Sequence, residues 1–95
     1  MSERAIITDG SIPQIAPGGR VHFDKRRDQW VILAPERLFV LDAIAHEIIK
    51  RCDGQATTAE IVDGLAAQFS ADREVILQDV SSLLQGLADK RIVTL

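Results

Sequence analysis

The pattern of apolar and polar positions predicts two strands ahead of Pro35. Val21 and Phe23 alternate with polar residues, which is typical of a half-buried strand. After a charged turn, residues 29–34 form a strand whose bulky apolar side chains occupy both faces of the pleat. Such a strand either lies in the middle of a sheet or keeps an edge for another chain to occupy. The pattern leaves both alternatives open, and the choice between them bears on function.

A shorter strand is predicted over 12–16, where Pro13 favours an edge or the start of a strand. With the two strands above, it would form a three-stranded antiparallel meander. Residues 1–11 show no clear period, so we expect a flexible amino-terminal arm followed by a folded domain over 12–95.

After Pro35, apolar residues recur at steps of three and four, which predicts helices. Three helices are expected, over approximately 38–52, 57–69 and 73–90. Gly54 is placed to end the first helix. The pair Thr57 and Glu60 forms a capping-box pattern at the start of the second, and Ser70 or Asp72 caps the third. The sequence therefore predicts an α+β fold, in which a three-stranded antiparallel sheet is followed by three helices.

The third predicted helix carries more apolar surface than one core stripe requires. Its main stripe consists of Ile76, Val80, Leu83 and Leu87. Leu77 and Leu84 lie about a quarter turn away, beside Ser81. Either this helix has a wide buried face, or Leu77 and Leu84 form one wall of a groove whose other wall is an exposed strand edge.

Composition excludes several classes of protein. The 95 residues fit one small domain, and a formal net charge of −3 argues against a general nucleic-acid binder. The chain shows neither a signal peptide nor an apolar run of roughly 20 residues, so we expect a cytoplasmic protein without a membrane anchor. Cys52 is the only cysteine, which rules out an intrachain disulfide and favours a small buried side chain.

The sequence offers no catalytic or metal-binding motif. His22 and His46 are far apart and lack ligand-like spacing, so no metal site is expected. Gly18 and Gly19 lack the lysine of a phosphate loop. The basic segment 25–27 is interpreted as a solvated hairpin tip, with contact to an acidic peptide or to a partner enzyme as the alternative. We therefore expect a protein that is not an enzyme and holds no cofactor.

In combination, several short motifs resemble the PqqD family of pyrroloquinoline quinone (PQQ) biosynthesis. The resemblance extends from about Pro13 to Val93, and it rests on the segments 17–21, 30–37, 41–42 and 52–54 with Thr57 and Ile61, and on Asp79, Val80, Leu84 and Leu87. One departure is Arg91, where the resemblance implies a glycine. The first twelve residues are not covered.

The resemblance implies a winged helix-turn-helix domain that recognises a peptide, a RiPP recognition element. Such proteins bind the ribosomally made precursor peptide PqqA and present it to the radical SAM enzyme PqqE, which cross-links a glutamate to a tyrosine. Related domains capture leader peptides as an added strand, in the cleft between the third strand and the third helix. The expected peptide-binding residues are Trp30, Val31, Ile32 and Leu33 on the strand and Leu77, Ser81 and Leu84 on the helix. Which face of the strand meets the peptide stays open.

The alternative is a winged-helix regulator that binds DNA, since the arrangement of elements alone permits it. The third helix disfavours it, because Asp72, Glu74 and Asp79 stand among leucines where a recognition helix presents basic and amide side chains. We expect either a monomer in solution or a weak homodimer, formed through the free strand edge or by strand exchange.

Overall fold

A computed structural model of the protein describes residues 4–95. Five strands and three helices make up this part of the chain. In chain order they are β1 (Gln14–Ile15), β2 (Arg20–Asp24), β3 (Gln29–Ala34), β4 (Arg37–Leu41), α1 (Ala43–Lys50), α2 (Thr58–Phe69), α3 (Arg73–Asp89) and β5 (Val93–Thr94). The predicted α+β fold, a three-stranded antiparallel sheet followed by three helices, is confirmed.

The three-stranded sheet is formed by β2, β3 and β4, in that order. Ile32 of β3 lies opposite Val21 on one side and Phe39 on the other, so β3 is the central strand. The prediction that residues 12–16 complete the meander is wrong. Their two-residue strand β1 instead pairs with β5 in a separate sheet.

Strand β4 occupies residues that the sequence pattern assigned to the first helix. A two-residue turn at Pro35 and Glu36 reverses the chain after β3, with Glu36 in the left-handed region at φ 59°. Residues 37–41 then run back along β3 and alternate between the two faces of the sheet. Helix α1 starts only after Asp42, whose carboxylate accepts a hydrogen bond from the Ala45 N–H at 2.7 Å.

Local capping chemistry sets the starts of the other two helices. The Thr57 hydroxyl accepts a hydrogen bond from the Glu60 N–H at 3.2 Å, and the Glu60 carboxylate accepts one from the Thr57 N–H at 2.9 Å. The predicted capping box is therefore confirmed. Asp72 caps α3 by accepting from the Glu74 N–H at 2.8 Å. Ser70 has a different role, because it ends α2.

Helices α2 and α3 both end in a Schellman motif. At the end of α3, the Ile92 N–H donates to the Leu87 carbonyl and the Arg91 N–H to the Ala88 carbonyl, both at 2.9 Å. Arg91 occupies the left-handed position at φ 62°, and Ser70 occupies the equivalent position after α2 at φ 49°. Both positions favour glycine. Gly54, which was expected to stop the first helix, lies beyond the Arg51 cap of α1, in the following turn.

The amino-terminal segment over 4–11 has no regular secondary structure but is tied to two helices. At the start of α2, the Ala59 N–H donates a hydrogen bond to the Asp9 carbonyl at 3.1 Å. The Thr58 N–H donates one to the Ser11 carbonyl at 2.8 Å. These bonds hold Asp9 and Ser11 against the start of α2, and the expected flexibility of the segment stays a prediction. Residues 1–3, which the same prediction covered, lie outside the described residues.

One core joins the inner face of the sheet to all three helices. Its buried members are Ile32, Leu41, Ile48, Ile49, Cys52, Ile61, Val62, Leu65, Val80, Leu84, Leu87, Ile92 and Val93. Burial raises the pKa of the Cys52 thiol to about 12, so this side chain is a neutral hydrophobe as expected. Within residues 4–95, no helix is long and apolar enough to cross a membrane.

Candidate peptide-binding cleft

The edge of β4 is one of two edges that the three-stranded sheet leaves available to another chain in the described residues, and the other is the edge of β2. Within residues 4–95, strand β4 pairs only with β3. In a two-residue hairpin, the pair that flanks the turn exchanges both hydrogen bonds, and bonded and non-bonded pairs then alternate. With Ala34 opposite Arg37, this alternation directs the backbone N–H and C=O groups of Leu38 and Val40 away from β3. These two residues therefore offer unpaired backbone groups at the edge.

Apolar side chains flank these groups. Leu38 and Val40 are 41% and 50% exposed, a large exposure for residues of this type in a small domain. They share the outer face of the sheet with Val31 and Leu33. A peptide added to this edge would cover them and would also satisfy the backbone groups.

Helix α3 is held against the inner side of β4 by two contacts. The Arg37 guanidinium donates a hydrogen bond to the Lys90 carbonyl at 2.8 Å. The Lys90 ammonium lies 5.6 Å from the centre of the Phe39 ring, a cation–π distance. Together these contacts fix one end of a cleft between β4 and α3, which we call the β4–α3 cleft.

Helical spacing puts Asp79, Leu83, Gly86 and the cap residue Lys90 on one flank of α3, the flank that carries the two contacts with β4. Asp79 and Leu83 line a groove together with Asp42, which directly follows β4, and Ile44 in the first turn of α1. Within the described residues, no neighbouring group comes within 4 Å of the position that a Cβ atom of residue 86 would take. The cleft is therefore open at Gly86.

The structure places the predicted strand residues in the centre of the sheet. Val31 and Ile32 are completely buried, and β3 is paired on both sides. The expectation of a free edge along residues 29–34 is therefore wrong, because β4 occupies it. Leu33 is half-buried on the outer face. Trp30 is exposed at the end of the strand.

Trp30 belongs to an aromatic cluster near the start of β3, at the end of the strand away from the turn at Pro35 and Glu36. Its ring stacks on His46 of α1, with the centroids 4.2 Å apart, and meets Phe23 edge-on at 5.2 Å. Partial burial lowers the pKa of His46, so the neutral imidazole is favoured against the indole. This packing connects the sheet to α1 and gives Trp30 a structural role.

The predicted helix residues lie away from the β4–α3 cleft. Leu84 is completely buried in the core, so the interpretation of a wide buried face is correct for this residue. Leu77 and Ser81 are half-buried on the opposite flank of α3, in a row that continues to Gln85. Leu77 and Ser81 are therefore on the flank of α3 that does not contact β4, and their contact with a peptide stays a prediction.

The amino-terminal segment lies along that opposite flank. The Gln85 amide donates to the Ala5 carbonyl at 2.8 Å and accepts from the Ile7 N–H at 2.9 Å. Arg4 forms a bidentate salt bridge with Asp89, in which its Nε and Nη2 atoms donate to the two carboxylate oxygens at 2.8 and 2.7 Å. This pair, with a further hydrogen bond from Gln85, lowers the pKa of Asp89 to about 2. The segment thus binds the side of α3 that the sequence pattern had assigned to the peptide.

No other chemistry stands out in the described residues. Residues 4–95 contain no cluster of three histidine, cysteine or acidic side chains that could hold a metal ion. The basic tip over 25–27 is exposed, and Arg27 lies 3.6 Å from the Asp24 carboxylate.

Comparison with known proteins places the chain in one family. The family model described as coenzyme PQQ synthesis protein D (PqqD) matches residues 29–93. A protein of Rhodopseudomonas palustris strain TIE-1 named PqqA binding protein is 45% identical over 91 residues, covering 96% of this chain and 89% of its own.

Two solved structures share the fold. The PqqD truncation of Methylobacterium extorquens PqqCD, described as a functional, stand-alone RiPP recognition element, is 35% identical, with a TM-score of 0.84 over 99% of this chain and 100% of its own. TbiB1, in complex with the TbiA(beta) leader peptide, is 27% identical, with a TM-score of 0.72 over 84% of this chain and 93% of its own. From the matched residues and the shared fold, the chain belongs to the PqqD family.

Proposed function

We propose that this protein is a noncatalytic adaptor of PQQ biosynthesis that binds the precursor peptide PqqA by strand addition along β4. The observation that carries the proposal is the free edge of β4, flanked by exposed Leu38 and Val40 and facing α3 across an open cleft. Relatives named PqqA binding protein and the neighbour in complex with a leader peptide support it.

The physical basis is the complementarity between a sheet edge and an extended peptide. The peptide backbone satisfies the outward N–H and C=O groups of Leu38 and Val40, which contributes affinity for any sequence. Alternate peptide side chains point into the β4–α3 cleft, past Leu83 and Gly86. The remaining side chains lie beside Leu38 and Val40 on the outer face. Selectivity then comes from the side chains that enter the cleft.

Presentation of the bound peptide to the radical SAM enzyme PqqE is the second part of the proposal. It rests on the family resemblance, and it places the protein in the cytoplasm, where ribosomes make the precursor. Co-elution of PqqE with the chain and the PqqA peptide during gel filtration would support this step. Separate elution of the enzyme at concentrations that saturate the peptide complex would refute it.

DNA binding is disfavoured by the charge of α3. The helix and its cap carry Asp72, Glu74, Asp79 and Asp89, and their basic neighbours Arg73 and Lys90 stand at its two ends. Arg73 is also paired with Asp63 at 2.6 Å. A helix with this distribution would repel the phosphate backbone along most of its length.

Anisotropy of a fluorescein-labelled PqqA peptide tests the function directly. We expect saturable binding of the PqqA sequence, much weaker binding of a scrambled peptide of the same composition, and no competition by duplex DNA at low salt. Equal binding of the two peptides, or displacement by DNA, would contradict the proposal.

A further inference from the structure

An apolar cavity lies beyond the end of β4, among α1, the carboxyl-terminal half of α2 and the amino-terminal half of α3. Its volume is about 260 Å³. The large apolar side chains that line it are Ile44, Ile48, Leu65, Phe69, Ile76 and Val80. This volume lies near the lower limit of the range of roughly 300–1,000 Å³ typical of sites for small molecules and cofactors. It is large enough for one bulky side chain from another chain.

The mouth of the cavity exposes bulky apolar side chains to solvent. Ile44 is 61% exposed and Phe69 is 52% exposed. They come from different helices, α1 and α2, and converge on one opening. Exposure of two such residues at one opening is typical of a surface that is covered in a complex.

This cavity is continuous with the β4–α3 cleft. The groove that starts at Asp42, directly after β4, shares Ile44, Ile48 and Asp79 with the cavity. A peptide paired with β4 that continues past the Leu41 end of the strand would therefore pass over Ile44 and reach the cavity. The two features form one path for an extended chain.

Charge at the opening indicates the chemistry of the occupant. The Glu47 and Asp79 side chains stand at the rim of an otherwise apolar cavity. Glu47 is paired with Lys50 at 2.9 Å. Among residues 4–95, the salt bridges involve carboxylates other than that of Asp79. Asp79, exposed at this rim, is thus available to a cation on the bound chain.

We propose that the precursor peptide continues beyond β4 at its Leu41 end, inserts one bulky apolar side chain into this cavity, and places a lysine or arginine next to it against Asp79. This inference rests on the proposed function, because it assumes a peptide strand on β4. It adds a sequence requirement to the peptide. The strand-forming segment must be accompanied by an apolar anchor with a basic neighbour.

Two exposed substitutions and two matched controls test the proposal by anisotropy with labelled PqqA peptide. Ile44→Ser and Asp79→Lys should each weaken binding by about tenfold, since one removes an apolar contact and the other places like charges together. Val75→Ser removes a comparably exposed side chain, 55% accessible, away from the cavity. Val75→Ser and Glu74→Lys, as two separate controls, should each leave the affinity for the peptide within about twofold of that of the parent protein.

A charge exchange gives a more specific test. The peptides for this test each have one lysine or arginine replaced by glutamate. One of them should bind the Asp79→Lys protein more tightly than the unmodified PqqA peptide does. The same peptide should bind the parent protein more weakly than the unmodified peptide does. Failure of every such peptide to recover binding would refute the contact with Asp79. Thermal melting should show that all four protein variants remain folded, as expected for exposed positions.

The outcomes separate this inference from the proposed function. If Ile44→Ser and Asp79→Lys bind like their controls while the peptide still protects the β4 amides from exchange, only the cavity proposal fails. If the parent protein shows no peptide-dependent protection on β4, the proposed function fails too. Loss of self-association in Ile44→Ser, with unchanged peptide affinity, would assign the cavity to a contact between copies and overturn the proposal.

Discussion

Arg91 holds the left-handed position at the end of α3, where a side chain is strained. Its φ is 62°, and its N–H and that of Ile92 close the Schellman motif. For a residue with a Cβ atom, the left-handed conformation is roughly 1–2 kcal/mol higher in free energy than the right-handed one. The family resemblance implied glycine at this position, and the backbone gives the physical reason for that preference.

Replacing Arg91 with glycine should therefore stabilise the protein. We expect Arg91→Gly to raise the free energy of unfolding by about 1 kcal/mol, after allowance for the greater freedom of glycine in the unfolded chain. For a domain of this size, the melting temperature should rise by about 4–8 °C. Arg91→Ala is the matched control, because it removes the same side chain but keeps the Cβ atom. Equal melting temperatures for the two variants would contradict the backbone explanation.

Features that depend on a few neighbouring residues could be predicted from the sequence. Thr57 and Glu60 form the expected capping box, since both partners lie within one turn of the same helix. Asp72 is one of the two caps proposed for α3, and the structure selects it. Ser70 also lies close enough to the start of α3 to be a candidate for its cap in the sequence, but in the structure it ends α2.

At the scale of elements, β4 is a strand that the sequence pattern did not predict. Leu38 and Leu41 are three residues apart. This spacing puts them on the same stripe of a helix or on opposite faces of a strand, so it does not distinguish the two. The turn at Pro35 and Glu36 decides between them by folding residues 37–41 back onto β3. Because the sequence pattern contains no β4, the family resemblance places the free edge on β3, one strand earlier in the chain than in the structure.

The choice of flank on α3 has the same origin. The stripe of buried residues is centred close to Leu84 and Val80, both completely buried, so Leu77 and Leu83 lie on opposite sides of it. Periodicity alone does not say which side meets the sheet. The contacts of Arg37 and Phe39 with Lys90 determine it, and they join residues about fifty positions apart in the chain.

Gly86 provides a test of the cleft that separates binding from folding. Gly86→Leu should place a side chain in the β4–α3 cleft and weaken binding of PqqA peptide by about tenfold or more. The same change should raise stability slightly, because glycine inside a helix costs roughly 1 kcal/mol relative to good helix formers.

Gly86→Ala is the control for this experiment. Its small side chain should stabilise the helix and leave binding nearly unchanged. Anisotropy and thermal melting of both variants check the prediction. Peptide affinity that stays at the parent level in a folded Gly86→Leu protein would place the peptide elsewhere.

At the scale of the whole molecule, we propose that one sheet edge serves both peptide capture and self-association. The backbone groups of Leu38 and Val40 can pair with a peptide or with the same strand of a second copy. We predict a monomer in dilute solution and a weak dimer as concentration rises. Saturating PqqA peptide should abolish the dimer.

Sedimentation at several protein concentrations, with and without peptide, checks this prediction. The two equilibria should compete, because they use the same backbone groups. A dimer that persists when every chain carries peptide would show that self-association uses another surface.

Amide hydrogen exchange of the labelled protein, with and without saturating PqqA peptide, tests strand addition along β4 at the backbone groups that would form it. We expect exchange at Leu38 and Val40 to slow by about tenfold or more, because their N–H groups become bonded to the added strand. At the other free edge, the amides of Val21 and Phe23 on β2 should exchange at unchanged rates. Unchanged exchange at Leu38 and Val40, or protection at Val21 and Phe23 instead, would contradict strand addition along β4.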